Sequence, residues 1–246
     1  MTMYEYSRTE RLLGRDGMER LFASSVIIFG VGGVGSHCIE ALARSGVGKL
    51  TLVDNDKVGL TNINRQAVAF HSTIGRYKTE VMKEQIKDIC PSIEVKTYES
   101  FVLPENVDTF FEERYDYIID AVDTVTAKLA LVQKALKAQI PIISSMGTGN
   151  KLHPELFEIA DIADTSMCPL CKVMRKELKK RGIMHLKVLY SREKPIEPLE
   201  VNIEELGMEK TEGARRSIPG SISFVPPAAG LLIAGEVIRS LSKIGE

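Results

Sequence analysis

The residues best placed to do chemistry begin at a cluster of glycines. Gly30, Gly32, Gly33 and Gly35 follow the apolar run 26–29 in the order Gly-x-Gly-x-x-Gly, and a helical pattern opens at Val34. A strand that turns tightly into a helix points unpaired N–H groups and the positive end of the helix dipole at whatever lies above, which seats a phosphate. Asp54 stands about 20 residues further on, at the end of the next apolar run, where a carboxylate meets a ribose hydroxyl pair. Turn and acid together point to a nucleotide, without separating a dinucleotide from ATP.

The segment after Asp54 narrows the choice. Asn62, Asn64, Arg65 and Gln66 sit together, and Lys78 opens the next helical pattern. A dinucleotide's pyrophosphate is held largely by backbone N–H groups, whereas a triphosphate attacked at its α-phosphate benefits from fixed cations such as Arg65 and Lys78. Taken singly, these two read as ordinary surface charges. Asp120 and Asp123 end the apolar run 116–121, on the edge where open α/β sheets keep their ligands. A carboxylate there suits Mg²⁺, which takes hard oxygen ligands and bridges phosphates; Asp123 is equally placed to cap the helix that follows.

Other reactive types are sparser. Cys168-Pro169-Leu170-Cys171 is the one Cys-x-x-Cys pair, with Cys38 and Cys90 isolated, so a four-coordinate structural zinc is not expected. A lone pair at a helix start is weak support for redox chemistry, although Cys168 as a lower-pKa thiol there stays open. His37, His71, His153 and His185 have no catalytic context. Lys172, Arg175, Lys176, Lys179 and Lys180 share one helical face, with Val173, Met174 and Leu178 largely opposite. That face suits an RNA backbone, or is simply solvated.

Elements must hold these groups in place. Apolar runs predict strands over 26–29, 50–54, 93–97, 116–121 and 141–145, alternating with helices over 34–45, 78–89, 104–111 and 124–138. That alternation predicts an α/β fold: a doubly wound, mostly parallel Rossmann-like sheet. A helix, or two broken near Gly14 and Gly17, precedes it over 9–22, with Ser7 or Thr9 as cap. Beyond Gly147 the expected order is strand 155–159, helix 169–181, strand 185–190, strand 221–225 ended by Pro226-Pro227, and a closing helix 228–241. These late strands are expected to extend the sheet partly antiparallel.

Composition bounds the setting. The 246 residues are 44% hydrophobic and 26% charged, which suits one large domain. The expected organisation is a helical arm (1–24), a nucleotide-binding core (25–150) and a substrate-side extension (151–246) with a mobile crossing segment at 191–216. A net charge of −1 gives no general pull towards polyanions, so RNA would need a local patch. Residues 1–7 lack a signal-peptide core, and the late apolar run 228–234 is far below the ~20 residues of a membrane span. A cytoplasmic protein without a membrane span is expected.

The glycine turn, Asp54, Asn62-x-Asn64-Arg65-Gln66, Lys78 and Asp120-Ala121-Val122-Asp123 together resemble the ubiquitin-activating-enzyme-like (ThiF/MoeB/HesA) adenylating proteins, in that group's order and spacing. Within the group the chain is most similar to the tRNA threonylcarbamoyladenosine dehydratases. Ser7-Arg8-Thr9-Glu10-Arg11-Leu12-Leu13-Gly14 carries that likeness, with the stretch from Ile142 to Lys151, Cys168-Pro169-Leu170 and its basic helix, and Gly220 to Pro227. The resemblance implies ATP and Mg²⁺ as cofactors and tRNA as partner: a threonyl carboxylate is adenylated, then cyclised with loss of water. It also implies that Asp54 holds the ribose, that Asn62, Arg65, Gln66 and Lys78 hold the phosphates, and that Asp123 holds Mg²⁺. Arg11 matches an arginine the family inserts into the partner subunit's site, which implies a homodimer. Some related dehydratases have a cysteine before the final strand, linked to sulfur-mobilising protein partners; the stretch from Arg216 to Gly220 has none. The alternative is adenylation of a ubiquitin-like sulfur carrier's C-terminal carboxylate, which the missing second Cys-x-x-Cys argues against. A nicotinamide-dependent oxidoreductase is disfavoured by Arg11, Arg65, Lys78 and Asp123.

Overall fold

A computed structural model of the chain describes residues 5–199 and 219–243. Strands β1 (Ser25–Phe29), β2 (Lys49–Val53), β3 (Glu94–Tyr98), β4 (Tyr117–Asp120), β5 (Ile142–Ser145), β6 (Phe157–Asp161) and β7 (Lys187–Ser191) form one sheet. Its spatial order is β3-β2-β1-β4-β5-β7-β6. Every neighbouring pair is parallel except β6 with β7. The mostly parallel sheet and its antiparallel extension thus match the expectation.

β1 lies at the centre and is buried at all five residues, which is why it reads as a continuous apolar run with no polar alternation. Its side chains still alternate between two cores. Val26 and Ile28 face α2 (Gly35–Arg44), α3 (Lys78–Ile89) and α6 (Val225–Ser242); Ile27 and Phe29 face Phe110 and α4 (Val125–Ala138). A third core packs Cys171, Met174 and Leu178 of α5 (Pro169–Lys179) on Leu186, Val188 and Tyr190.

From β1 the sheet grows outward in two directions, to β2 and to β4. At such a reversal the crossover helices leave a crevice beyond the strands' carboxyl ends. Register sets what lines it. Phe29 pairs with Val53 on one side and Asp120 on the other, so Gly30, Asp54 and Ala121 leave the sheet at one level. Ser144 pairs with Asp120, bringing the end of β5 there too.

Several expected elements differ. α1 spans Ser7–Ala23 and is interrupted at Gly14 (φ 68°) but not at Gly17, which is helical and buried. Ser7 and Thr9 lie inside it, so neither caps it. Residues 107–111 form a 3-10 turn instead of an α-helix. Residues 221–224 are not a strand, and Pro226-Pro227 sit in the first turn of α6, where missing N–H groups cost nothing. α5 ends at Lys179. The crossing segment 191–216 is described only to residue 199; its remainder lies outside the described residues. No described helix is long and apolar enough to cross a membrane.

Candidate functional site

A cleft of about 810 Å³ opens above the carboxyl ends of the central strands. Gly30, Gly32 and Gly33 form its floor. Gly30 has φ +94°, and a Cβ there would stand 2.7 Å from the Ala121 carbonyl oxygen. A Cβ on Gly35 would strike the Gly30 carbonyl, so Gly35 lets the helix start close against the turn. Gly32 has open space beside it, which leaves its backbone free to approach a ligand.

Asp54 sits just past β2. Its two oxygens accept the N–H groups of Val31 (2.6 Å) and Asp56 (2.8 Å), so the carboxylate is braced against the glycine turn itself. Burial holds it above the ordinary carboxylate range, while Lys78 and the two amides pull the other way. Lys78 is buried at the start of α3, and its Nζ lies 2.7 Å from Asp56. Arg65 is half-buried: Nη1 is tethered to the Thr61 carbonyl and Asn64 Oδ1, both at 2.9 Å, and burial lowers its guanidinium. Asn62 Oδ1 accepts the Gly59 N–H at 3.1 Å and shapes the turn. Gln66 is buried, yet its Oε1 has no partner among the described residues, an orphaned acceptor at the cleft wall. All of these side chains line the one cleft.

The two carboxylates after β4 part company. Asp120 is wholly buried and bound to Lys128 Nζ at 3.0 Å, with the Ser144 hydroxyl beside it. Asp120 is therefore not a metal ligand, because its charge is already met. Asp123 is exposed at the cleft lip, its Oδ1 accepting the Thr124 hydroxyl at 3.2 Å. Thr124, not Asp123, occupies the N-cap of α4. One exposed carboxylate at the lip of the cleft that the glycine turn floors fits Mg²⁺, which takes hard oxygen ligands and usually keeps several waters.

The opposite wall is built from residues 145–151, Cys168 to Leu170, and Pro219 to Ser221. Asn150, at φ 58°, donates its N–H to the Gly220 carbonyl (2.8 Å), and its Oδ1 accepts the Gly220 N–H (2.6 Å), stitching two of these segments together. Arg11 is exposed on α1 and does not line this cleft. On α5 the expected basic face divides. Arg175 donates to the Ile162 and Thr165 carbonyls and the Thr165 hydroxyl, and Lys180 pairs with Glu177. Lys172, Lys176 and Lys179 remain exposed; Val173, expected on the apolar side, is exposed as well. Lys128, Asp56 and Glu193, which accepts the Leu152 and His153 N–H groups, are structural participants that the sequence reading missed.

The family model for the ThiF family matches residues 6–246. The chain belongs to the ThiF family. Among its relatives, the tRNA threonylcarbamoyladenosine dehydratase of Bacillus subtilis is 44% identical over 243 residues, covering 98% of this chain and 96% of the relative. A crystal structure of the Escherichia coli tRNA N6-threonylcarbamoyladenosine dehydratase in complex with ATP superposes with a TM-score of 0.86 at 30% identity, covering 98% of this chain and 95% of that one. The adenylyltransferase and sulfurtransferase UBA4 of Candida glabrata is more distant: 29% identical over 68% of this chain and 40% of the relative.

Proposed function

We propose that this ThiF-family chain is an ATP-dependent tRNA threonylcarbamoyladenosine dehydratase. What carries the reading is the continuity of a single cleft. Its floor and one wall carry the residues read as phosphate-binding, and the other wall draws on three of the four segments that carry the likeness to the dehydratases, all but Ser7 to Gly14. The near full-length similarity to the Bacillus subtilis enzyme supports the substrate class.

In this reading the cleft binds ATP. Asp54 accepts hydrogen bonds from the ribose hydroxyls. The Gly30–Gly35 turn, Asn62, Arg65, Gln66 and Lys78 hold the phosphates. Asp123 holds Mg²⁺, which offsets charge on the phosphate oxygens when bound. The threonyl carboxylate of the modified adenosine attacks the α-phosphate, and pyrophosphate leaves. Adenylation turns a poor acyl leaving group into a good one. The carbamoyl group then closes a five-membered ring and AMP departs, for a net loss of one water. Arg65 and Lys78 stand where negative charge grows in the first step. Arg11 completes the site from a second copy of the chain, and the exposed lysines of α5 meet the tRNA backbone. The enzyme works in the cytoplasm as a homodimer. A sulfur-mobilising protein is not required by these steps.

The test is direct. Pure protein is incubated with Mg-ATP and tRNA bearing threonylcarbamoyladenosine, and the digested nucleosides are weighed. An ATP-dependent loss of one water is expected. AMP formed only on adding a small sulfur-carrier protein, with no change in the nucleoside, would overturn the assignment in favour of sulfur-carrier adenylation.

A further inference from the structure

The proposed reaction leaves one reactive pair on the cleft wall unused. Cys168 and Cys171 stand three residues apart at the start of α5, both reduced and both buried. Cys168 is at the N-cap, with Pro169 following. Amides converging at a helix N-terminus stabilise a thiolate. The neighbouring Cys171 thiol first, and then the backbone N–H groups of Cys171, Gly147 and Leu170, hold the Cys168 thiol below its ordinary value, while the shared proton and burial push Cys171 up. Buried Lys151 adds a positive charge felt by both sulfurs.

Geometry gives the two thiols different access. Cys168 is 4% exposed and forms part of the cleft wall, beside Gly147 and Lys151. Cys171 is fully enclosed behind it. No group of three or more His, Cys, Asp or Glu is placed to hold a metal among the described residues. Plain packing looks different in this chain. Cys38 is enclosed in α2, and burial alone pushes its thiol up.

We propose that Cys168 and Cys171 form a thiol–disulfide exchange centre that opens into the cleft and reacts with low-molecular-weight disulfides. The Cys168 thiolate attacks one sulfur of RSSR, the S–S bond breaks, and RS⁻ leaves with the electron pair. A mixed disulfide stays on Cys168. Cys171 then gives up its proton and attacks the Cys168 sulfur, expelling the second RS⁻. The two cysteines are oxidised to a bridge, and RSSR is reduced to RS⁻ and RSH, the latter carrying the Cys171 proton. Forming the bridge replaces the Cys168 thiolate that lines the cleft with Gly147, so the wall opposite the phosphate seat senses the surrounding thiol pool.

The experiment reads thiols, not dehydration, so its outcome is independent of the proposed function. The full chain is incubated with oxidised glutathione, quenched in acid, alkylated and weighed peptide by peptide. Cys168 and Cys171 are expected to lose alkylation together without a lasting glutathione adduct, with dithiothreitol restoring both and Cys38 staying a free thiol. Cys171→Ser, its fold checked by circular dichroism, is expected to stop at a glutathione adduct on Cys168. In a short iodoacetamide pulse on the unaltered chain, lowering the pH from 8 to 6 slows labelling of an ordinary thiol roughly 75-fold. Cys168 labelling is expected to slow less than about twofold. Folded Cys171→Ser without an adduct, or Cys168 labelling that falls like an ordinary thiol, overturns the proposal.

Discussion

Asp120 and Asp123 are the same residue type, three positions apart, with opposite fates. Asp120 ends β4 inside the sheet, where an unpaired carboxylate would be untenable, and Lys128 reaches it from α4 with both side chains fully buried. Lys128 Nζ also donates to the Ser144 hydroxyl (3.1 Å) and the Ser145 carbonyl (2.6 Å), so one ammonium ties the ends of β4 and β5 together beneath the cleft. Removing one member of such a pair leaves a buried charge without its partner. Lys128→Met is therefore expected to destabilise the fold by about 3–5 kcal/mol, read as a lower urea midpoint. Adding Asp120→Leu is expected to restore part of that loss, since the unpaired buried charge goes with it, while the Ser144 hydroxyl and the Ser145 carbonyl still lack Lys128. Lys128 left a trace in the sequence: it lies three residues after Val125 and four before Val132, on the buried stripe of α4. The trace could not name Asp120 as partner, because that pairing depends on how α4 packs across β4 and β5.

α5 shows how far periodicity carries and where it stops. Of the apolar side read as Val173, Met174 and Leu178, the last two are buried together with Cys171, while Val173 is exposed. The basic face was legible as a face, but not in its use. Arg175 turns back to bind the Ile162 and Thr165 carbonyls, a tertiary contact that spacing cannot show. Lys172, Lys176 and Lys179 are left facing solvent. If they meet tRNA phosphates, each Lys→Ala change is expected to weaken tRNA binding and to reduce the slope of log affinity against log salt by about 1. Filter binding across a salt series measures this, and the same change should leave thermal stability within about 0.5 kcal/mol. An unchanged slope would assign the face to solvent. The expected strand at 221–225 fails for a related reason. A short apolar run cannot be told from a helix start by periodicity, and here Val225 begins α6 with two prolines in its first turn.

At the scale of the molecule, one chain supplies a cleft with the glycine turn as its floor, the Asp54 carboxylate and the cations Arg65 and Lys78, while Arg11 stands exposed on α1 outside it. The donated-arginine reading makes a distinct prediction. Arg11→Ala and Lys78→Ala should each keep the fold, and Arg11→Ala should reduce turnover by about 10²-fold or more. Mixed under conditions where subunits exchange, the two variants are expected to recover about a quarter of the sites, because only one site of each mixed dimer is intact. Steady-state AMP release follows the recovery. Activity that stays at the level of the separate variants would place Arg11 outside the partner's site.

The sequence by itself determined the alternation of strands and helices, the glycine turn and the nucleotide chemistry. Those are local properties, written in apolar runs, in backbone freedom at glycine, and in the order of a few polar groups. Only the tertiary structure decided which polar groups are free to act. Two cations, Arg65 and Lys78, and three carboxylates, Asp54, Asp120 and Asp123, were visible as candidates. Burial and register then consumed Asp120, braced Asp54 on the Val31 N–H, paired Lys78 with Asp56 and left Asp123 at the lip. A charge's availability depends on what packs against it, and those neighbours come from distant parts of the chain.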